Sequence, residues 1–377
     1  MKTGKRLSFI AASVIIGIIA ASLVSEIFLR AINKDRNRYL VLEPNLKKTL
    51  RIKTGILPGV SGDSHFLTNS DGIRGDEIPG AHTDKILAIG GSTTECLYLD
   101  QKKAWPYLLQ QSLNDNGRAG SYWVGNIGRS GHTSVENYLQ LKYLLEQYRD
   151  IKTVIYLAGV NDFLQRLSAD ANYVPKNIDQ PTEEDLHRAF VNVPGFKTYR
   201  DLALYKLLRN VYDSIKYRKL LQETADVYVQ WRLNRQSASG LIDNLPDLNS
   251  SLNHYKYNLN RIIDLAKGHG VRLILMTQPF LWKDNMAEEE KKLLWTGGIG
   301  DYQINSGRYY STGALAGGME IYNKALIDVC RKRNAEYIDL SNIIPRDVTS
   351  FYDDVHFNEN GARSVARAIF FHLVNPK

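Results

Sequence analysis

The chain has 377 residues, 44% of them hydrophobic and 23% charged, a composition that excludes a disordered chain and suffices for one large α/β domain or two modest ones. The formal net charge is +8, but residues 1–53 contain 11 of the 48 Lys and Arg and only 3 of the 40 Asp and Glu. Residues 54–377 carry both signs equally, which argues against a polyanion-binding face, so no nucleic-acid partner is expected.

The first predicted element is a membrane-spanning helix. Residues 7–24 (LSFIAASVIIGIIAASLV) carry no charge, and Glu26 is the one charge before Leu29. About 20 such residues span the hydrocarbon core of a bilayer, whereas a cleaved signal has an apolar run of ~7–15 residues. Residues 1–30 are therefore predicted to be an uncleaved single-pass anchor, with a cleaved signal or a buried core helix as alternatives. Basic residues on both flanks leave the orientation open on charge alone, and we expect the remaining domain outside the cytoplasm.

Residues 31–80 mix charge, proline and glycine without a sustained period and are predicted to be a juxtamembrane arm. From residue 81 onward, short apolar runs alternate with amphipathic helices. The predicted core strands are KILAIG, SYWVGNIG, KTVIYLAG, VRLILMTQP and AEYIDL. This alternation predicts a three-layer α/β/α domain over residues 81–377 with a flavodoxin-like parallel sheet. Residues 163–260 are predicted to be a largely helical insertion between the third and fourth core strands.

Four polar motifs follow predicted strands, and the carboxyl ends of parallel strands meet at one edge of a sheet. In chain order they are GGST with Ser92, NIGRSGHT (126–133), AGVND (158–162) and YDDVHFNENG (352–361). Taken singly, GGST is more often a phosphate cradle or a plain turn, GVND a turn, and DDVH a solvated loop. A phosphate-binding loop is disfavoured because no Gly-Lys-Ser/Thr follows GGST. The four motifs together favour a site for acyl transfer.

The residue types in these motifs supply the parts of a nucleophilic serine site. A serine hydroxyl needs a base within hydrogen-bond reach and a third group that orients the base. His356, with Asp353 three residues before it, can provide both for Ser92. The oxyanion needs donors, and the backbone N–H groups of Ser92 and Gly131 and the side-chain amide of Asn161 are available. The histidines show no metal-ligand spacing and no dinucleotide motif follows a strand, so neither a metal nor a cofactor is predicted.

The blocks GGST, GRSG, GVND and DDVH resemble those of the SGNH hydrolases, also called the GDSL esterase and lipase family, including membrane-anchored bacterial members. The resemblance implies a serine carboxylic ester hydrolase with an SGNH fold. By motif, the family's nucleophile, oxyanion donors and Asp-x-x-His pair correspond to Ser92, Gly131, Asn161, Asp353 and His356. Gly91 stands where the family usually has Asp. The segment NSDGIRG, residues 69–75, also resembles a stretch that precedes the domain in anchored relatives, and the sequence assigns it no role.

Substrate choice is expected to depend on the insertion and on residues 281–318. Trp282, Trp295 and Tyr302 are the predicted substrate-binding residues, because aromatic faces suit sugar rings. A packed helical cap would use the same residues. The segment lacks the broad aliphatic wall of a fatty-acyl tunnel, so the sequence predicts removal of short acyl groups, acetyl first, from a glycan. The alternatives are an O-acetyltransferase for a cell-surface or exported polysaccharide, a lipase or thioesterase, and a non-catalytic glycan-binding assembly protein.

Overall fold

The structure of the chain is a computed structural model with two compact units. It describes residues 2–32, 37–116, 121–195, 202, 204–205, 207–209, 211–212, 226–300 and 307–375. The smaller unit comprises residues 1–39 and 192–220, and the larger comprises residues 40–191 and 221–377. Most of the predicted arm, residues 40–80, therefore belongs to the same unit as the four motifs.

The larger unit is built on a parallel sheet. In chain order the strands are β1 (Lys47–Leu50), β2 (Ser64–Leu67), β3 (Asp84–Gly90), β4 (Tyr122–Asn126), β5 (Ile151–Leu157), β6 (Gly240–Ile242), β7 (Arg272–Met276), β8 (Arg308–Tyr310) and β9 (Glu336–Ile338). Five of them pair in parallel in the order β4-β3-β5-β7-β9. Six of the seven residues of β3 are buried, as expected for a strand covered on both faces. The predicted fold class and the five predicted core strands are confirmed.

Helices flank this sheet and provide the connections between its strands. The described helices of the larger unit are α2 (Ser92–Glu95), α3 (Trp105–Asn116), α4 (Ser134–Gln147), α5 (Val160–Ala169), α6 (Glu183–Ala189), α7 (Asp226–Gln236), α8 (Asn249–Gly268), α9 (Glu288–Lys291), α10 (Thr312–Arg333), α11 (Leu340–Ile343) and α12 (Glu359–Val374), and helix α1 (Lys2–Ile32) belongs to the smaller unit. One group contains α3 and α12, which pack on each other, and α3 also contacts β4. Another contains α4 and α10, which both pack on α8, and α8 contacts β7.

The predicted insertion, residues 163–260, contains α6, α7 and most of α5 and α8. It also contains β6, which pairs with β8 in a parallel two-stranded sheet. A second small sheet, the antiparallel pair β1 and β2, lies within the predicted arm. Neither pair was predicted, because strands of three or four residues are too short to show a hydrophobic period.

Within the smaller unit, α1 contains a stretch long and apolar enough to cross a membrane. This stretch, Ala12–Leu29, has a mean hydropathy of 2.2 and none of it is buried. By length and composition alone, a membrane anchor and a signal sequence satisfy the same description. Glu26, the one charge of the stretch, accepts a hydrogen bond from the backbone N–H of Leu204 (2.9 Å), so the acidic side chain has a partner inside its own unit.

Candidate active site

The strand β3 ends at Gly90 because this position has no room for a side chain. Gly90 has a φ of +155°, and a Cβ at this position would lie 2.4 Å from Thr94 Oγ1 and 2.7 Å from the carbonyl oxygen of Leu157. A larger residue therefore clashes with both α2 and β5. The sharp turn places Ser92 at the first position of α2, half-buried, with its hydroxyl at the carboxyl edge of the sheet.

Ser92, His356 and Asp353 form a continuous chain of hydrogen bonds. His356 Nε2 lies 2.8 Å from Ser92 Oγ. On the other side of the ring, Nδ1 lies 2.7 Å from Asp353 Oδ2 and 2.9 Å from Oδ1. Because Nδ1–H is donated to the carboxylate, Nε2 can accept the serine proton. The sequence separates Ser92 from His356 by 264 positions, and the parallel sheet brings them together.

Asp353 is fully buried and held by further donors. Its carboxylate accepts bonds from the backbone N–H groups of Val355 (3.0 Å) and His356 (2.9 Å) and from Trp295 Nε1 (2.9 Å). Burial alone raises the pKa of this carboxyl, but His356 and the donated hydrogen bonds overcome that effect and hold the pKa below its ordinary value. Asp353 is therefore ionised at neutral pH and able to stabilise an imidazolium.

Asp353 has the opposite effect on its histidine. Burial alone lowers the pKa of His356, but the charge of Asp353 and its hydrogen bond outweigh burial and raise that pKa above the ordinary value. A histidine with a raised pKa is a stronger base. It gains more from accepting the serine proton than an isolated buried histidine would.

The predicted oxyanion donors lie beside Ser92. Gly131, exposed and with a φ of +77°, belongs to the loop after β4. Asn161 is the second residue of α5, and its Nδ2 donates to the carbonyl oxygen of His132 (2.8 Å), which leaves its other amide hydrogen. Ser92, Gly131, Asn161 and His356 line one cavity of about 530 Å³. The structure thus brings together all five residues predicted for catalysis.

Gly91 lies directly against the side chain of Asn161 in this structure. A Cβ on Gly91 would lie 2.3 Å from Asn161 Nδ2. The Asn161 amide therefore occupies the space that a side chain at position 91 would need. Glycine at position 91 permits this close approach between the end of β3 and the start of α5.

Aromatic residues form a wall of the cavity. Trp295 stacks on Trp231, with ring centroids 4.6 Å apart, and forms a T-shaped pair with Tyr228, with ring centroids 5.7 Å apart. Three polar side chains line the same cavity: Gln165 and Ser168 of α5 and Arg188 of α6. Trp295 thus lies at the cavity as predicted and also donates to the carboxylate of Asp353.

The other two predicted substrate-binding residues have different outcomes. Trp282 is fully buried, does not line the cavity, and donates through Nε1 to Asp354 Oδ1 (2.8 Å). The structure therefore places Trp282 in the core, where its indole N–H donates to a buried carboxylate, and not at the cavity. Tyr302 lies outside the described residues.

Sequence reasoning missed Trp231 and Tyr228. The two aromatics lie on α7, in an insertion where composition indicated helices but not which face meets the cavity. His132, in the loop after β4, is buried between Gln140 Nε2 (3.0 Å from Nδ1) and the carbonyl oxygen of Arg188 (3.0 Å from Nε2). Burial, and then the charge of Arg129, lowers the pKa of His132 to about 4, so this ring is neutral and structural.

Comparison with known families decides the class of the protein. Residues 88–363, well over half of the chain, match the model of the GDSL-like lipase/acylhydrolase family. The chain belongs to this family. As a GDSL-like acylhydrolase it is a serine ester hydrolase, and the match spans Ser92, Gly131, Asn161, Asp353 and His356. Among the described residues, no cluster of three or more His, Cys, Asp or Glu side chains is arranged to hold a metal ion.

Solved structures similar to this acylhydrolase include several esterases. Axe2, an acetylxylan esterase from Geobacillus stearothermophilus, is 13% identical with a TM-score of 0.42, over 79% of this chain and 98% of that one. A carbohydrate acetylesterase family member from Sinorhizobium meliloti is 11% identical (TM-score 0.40, 77% and 97%). A lipolytic G-D-S-L family protein from Veillonella parvula is 12% identical (0.41, 78% and 100%). No curated protein matched the sequence.

Proposed function

We propose that Ser92, His356 and Asp353 act as a catalytic triad that removes short acyl groups, acetyl first, from hydroxyls of a glycan outside the cytoplasm. The observation that carries the proposal is the hydrogen-bonded chain from Asp353 through His356 to Ser92 Oγ, which ends in an open cavity. The family supplies ester hydrolysis. The cavity wall supports the choice of substrate.

In the proposed mechanism, Ser92 Oγ attacks the ester carbonyl carbon while His356 Nε2 takes the hydroxyl proton. The negative charge that forms on the carbonyl oxygen receives hydrogen bonds from the N–H groups of Ser92 and Gly131 and from the Asn161 amide. The intermediate collapses, the C–O bond to the sugar breaks, and His356 returns its proton to the departing alkoxide. Water, deprotonated by His356, then attacks the carbonyl carbon of the acyl-serine. The second intermediate collapses, the bond between that carbon and Ser92 Oγ breaks, His356 returns the proton to Oγ, and the carboxylic acid leaves.

The cavity supports a small acyl group attached to a sugar. Among the described lining residues the aliphatic side chains are Leu97, Leu164 and Val355, too few for a long fatty-acyl tunnel. The stacked pair Trp231 and Trp295 is half-buried and offers aromatic surface of the kind on which a sugar ring can pack. Gln165, Ser168 and Arg188 add hydrogen-bonding groups for sugar hydroxyls.

The experiment for the nucleophile uses the full chain in detergent and a nitrophenyl phosphonate. We expect mass spectrometry to find one adduct, on Ser92, in the wild-type protein. His356→Ala should slow labelling strongly because Ser92 loses its base, and Ser92→Ala should not be labelled. As a matched control, Ser130→Ala changes the neighbouring cavity serine and should leave the adduct on Ser92. An adduct on another residue, or undiminished ester turnover by Ser92→Ala, would refute the triad.

The experiment for the substrate compares acyl groups and acceptors. We expect kcat/KM to be highest for acetyl esters in a nitrophenyl series from acetyl to octanoyl, and we expect acetate release from acetylated oligosaccharides. A steady rise toward octanoyl without acetate release would support a lipase or thioesterase instead. Acetyl transfer to an added glycan faster than to water would support the O-acetyltransferase.

A further inference from the structure

The segment NSDGIRG, residues 69–75, folds into a tight turn on the larger unit. Asn69 Oδ1 accepts hydrogen bonds from the backbone N–H groups of Asp71 (2.9 Å) and Ile73 (3.0 Å). At Gly72, where φ is +65°, a Cβ would lie 2.2 Å from the carbonyl oxygen of Leu42, so the turn is pressed against the preceding chain. Arg74, two residues after Gly72 at the end of this turn, points into the interior.

Arg74 is one of the most deeply buried charged residues of the described chain, with 1% of its surface exposed. Its guanidinium donates through Nη1 to the carbonyl oxygens of Glu95 and Cys96 (2.9 Å to Cys96), and through Nη2 to that of Leu99 (2.8 Å). Nε donates to Gln101 Oε1 (2.9 Å). All three guanidinium nitrogens are thus committed to the turn that follows Ser92.

The charge of Arg74 is retained despite this burial. Burial lowers the pKa of Arg74 to about 10, while nearby acidic groups, Glu95 among them, oppose the decrease. The group is therefore protonated at neutral pH. A cation that faces the carbonyl end of α2 makes stronger hydrogen bonds than a neutral donor would, so it holds that end firmly.

The backbone of Arg74 is hydrogen-bonded to the end of β4, just before the loop that contains Gly131. Its N–H and C=O pair with the C=O and N–H of Asn126, at 3.0 and 2.9 Å. The Asn126 side chain in turn donates to the carbonyl oxygen of Thr94 (2.8 Å) and accepts from the N–H of Gly128 (2.8 Å). Arg74 therefore contacts both the segment after Ser92 and Asn126, the last residue of β4, after which the loop with Gly131 begins.

A further contact links α2 directly to the residue before Gly131. The carboxylate of Glu95, the last residue of α2, accepts hydrogen bonds from both the backbone N–H (2.9 Å) and the hydroxyl of Ser130. Arg74 holds the carbonyl of this same Glu95. Glu95 thus accepts a hydrogen bond from Arg74 with its backbone carbonyl, and its carboxylate accepts hydrogen bonds from Ser130, the residue before Gly131.

We propose that Arg74 is a positioning residue that fixes α2, and with it Ser92, relative to the loop that presents the N–H of Gly131. The proposal rests on the roles given above to Ser92 and Gly131, and it gives the NSDGIRG segment a function. Arginine suits the position because its planar fork reaches three carbonyls and one amide oxygen at once, which the point-like ammonium of lysine cannot reproduce. A small error in the distance between nucleophile and oxyanion donors is costly, since misplacement by about 1 Å can cost 10²-fold in rate.

The test compares Arg74→Lys with Arg166→Lys in the full-length protein. Arg166 is a matched control: it is also buried and donates to the carbonyl oxygens of Asp247 and Asp170, but it does not contact α2 or the Gly131 loop. Both variants lose hydrogen bonds, so both should melt at lower temperature. Titration with the phosphonate counts the molecules with a reactive Ser92, and kcat is then expressed per titrated site.

We expect Arg74→Lys to lower kcat per titrated site by at least about tenfold, with little change in KM, and Arg166→Lys to leave kcat per site unchanged. A purely structural role would lower the number of titrated sites and not the rate of each site. Equal kcat per site in both variants therefore overturns the proposal.

A milder variant covers the case in which Arg74→Lys does not fold. Gln101→Leu removes the acceptor of Arg74 Nε and keeps the arginine, and we expect it also to lower kcat per titrated site, by a smaller factor. If Arg74→Lys cannot be purified and Gln101→Leu keeps the wild-type rate per site, the proposal is overturned. Absence of a Ser92 adduct in the wild-type protein would instead refute the proposed triad, and this inference with it.

Discussion

Asp353 and Asp354 are neighbours in the chain and both fully buried, yet their pKa values shift in opposite directions. Burial, followed by the charge of Asp353, raises the pKa of Asp354, whereas His356 holds the pKa of Asp353 down. Asp354 instead accepts bonds from Trp282 Nε1 and from the N–H and hydroxyl of Thr296, which secure the 282–296 segment. One carboxylate thus serves the proposed base, and its neighbour organises the wall beside it.

The first prediction concerns the acid limb of the pH profile. The proposed base works when neutral, so wild-type kcat/KM should fall as pH decreases through the raised pKa of His356. Asp353→Asn removes the charge that raises this pKa but leaves the burial that lowers it. The limb should therefore move to lower pH, while the plateau of kcat drops by about 10⁴ because the histidine tautomer is no longer fixed.

Asp354→Asn is the control for that experiment. It removes a more distant charge, which also contributes to the raised pKa of His356, and it leaves the hydrogen bond between Asp353 and Nδ1 in place. Its acid limb should move less than that of Asp353→Asn. An Asp353→Asn limb that stays in place or moves to higher pH would contradict the assignment of His356 as the base.

At the scale of elements, the site depends on how closely the end of β3 approaches the start of α5. The Asn161 amide fills the space beside Gly91, and the same amide is bound to the loop after β4 through the carbonyl of His132. Three elements from the sheet edge therefore meet at one side chain. Movement of that side chain should disturb the oxyanion donors without disturbing the hydrogen bond between Ser92 and His356.

The second prediction follows from this contact. Asn161→Ala should lower kcat by on the order of 10²–10³ as a lost oxyanion donor. Gly91→Ala should also lower kcat, because its Cβ would displace Asn161 Nδ2 from a distance of 2.3 Å. If both act through the same amide, Gly91→Ala adds little in the Asn161→Ala background, and a double-mutant cycle measures the difference.

Gly317→Ala provides the matched control for the glycine substitution. Gly317 lies within α10, where a Cβ would meet no atom within 4 Å, so kcat should be unchanged and the helix slightly stabilised. Fully additive effects of Gly91→Ala and Asn161→Ala would show that position 91 acts by another route.

The third prediction separates the two tryptophans of the cavity wall. Trp295→Phe keeps an aromatic ring but loses the bond to Asp353 Oδ2, and because hydrogen bonds to charged groups are strong, kcat should fall by about tenfold for every ester. Trp231→Ala removes stacking surface and should raise KM for acetylated sugars more than for nitrophenyl acetate. Identical kinetic profiles for the two variants would contradict this division of roles.

At the scale of the whole molecule, the sequence predicts the sheet and the proposed catalytic residues because both depend on simple patterns. Strands buried on both faces read as continuous apolar runs, and parallel strands carry their following loops to one edge. The role of Arg74 could not be predicted, since its contacts are fixed by a turn and by distant carbonyl oxygens that have no sequence signature. The sequence placed Trp282 at the cavity, whereas the structure has Trp231 there. This difference has a similar cause, because composition does not reveal which side of a segment is buried.

The last prediction concerns the N-terminal helix and the side of the membrane on which the enzyme works. No residue of the apolar stretch Ala12–Leu29 is buried in the structure, and exposing such a stretch to water is unfavourable, so we predict that it lies in a membrane. The full-length protein should therefore sediment with membranes. A version without residues 1–30 should be soluble and keep esterase activity, because the proposed catalytic residues all belong to the larger unit, which begins at residue 40.

Two measurements distinguish an anchor from a cleaved signal and fix the orientation. Protein sequencing of the membrane fraction should find the native N-terminus, whereas a new N-terminus just after the apolar stretch, with release of the protein, would indicate cleavage. A C-terminal alkaline phosphatase fusion, active only outside the cytoplasm, should be active, and a green fluorescent protein fusion exported by the same route should be dark. The reverse pattern would place the catalytic domain in the cytoplasm and remove exported glycans as substrates, while the predicted chemistry of Ser92 would be unaffected.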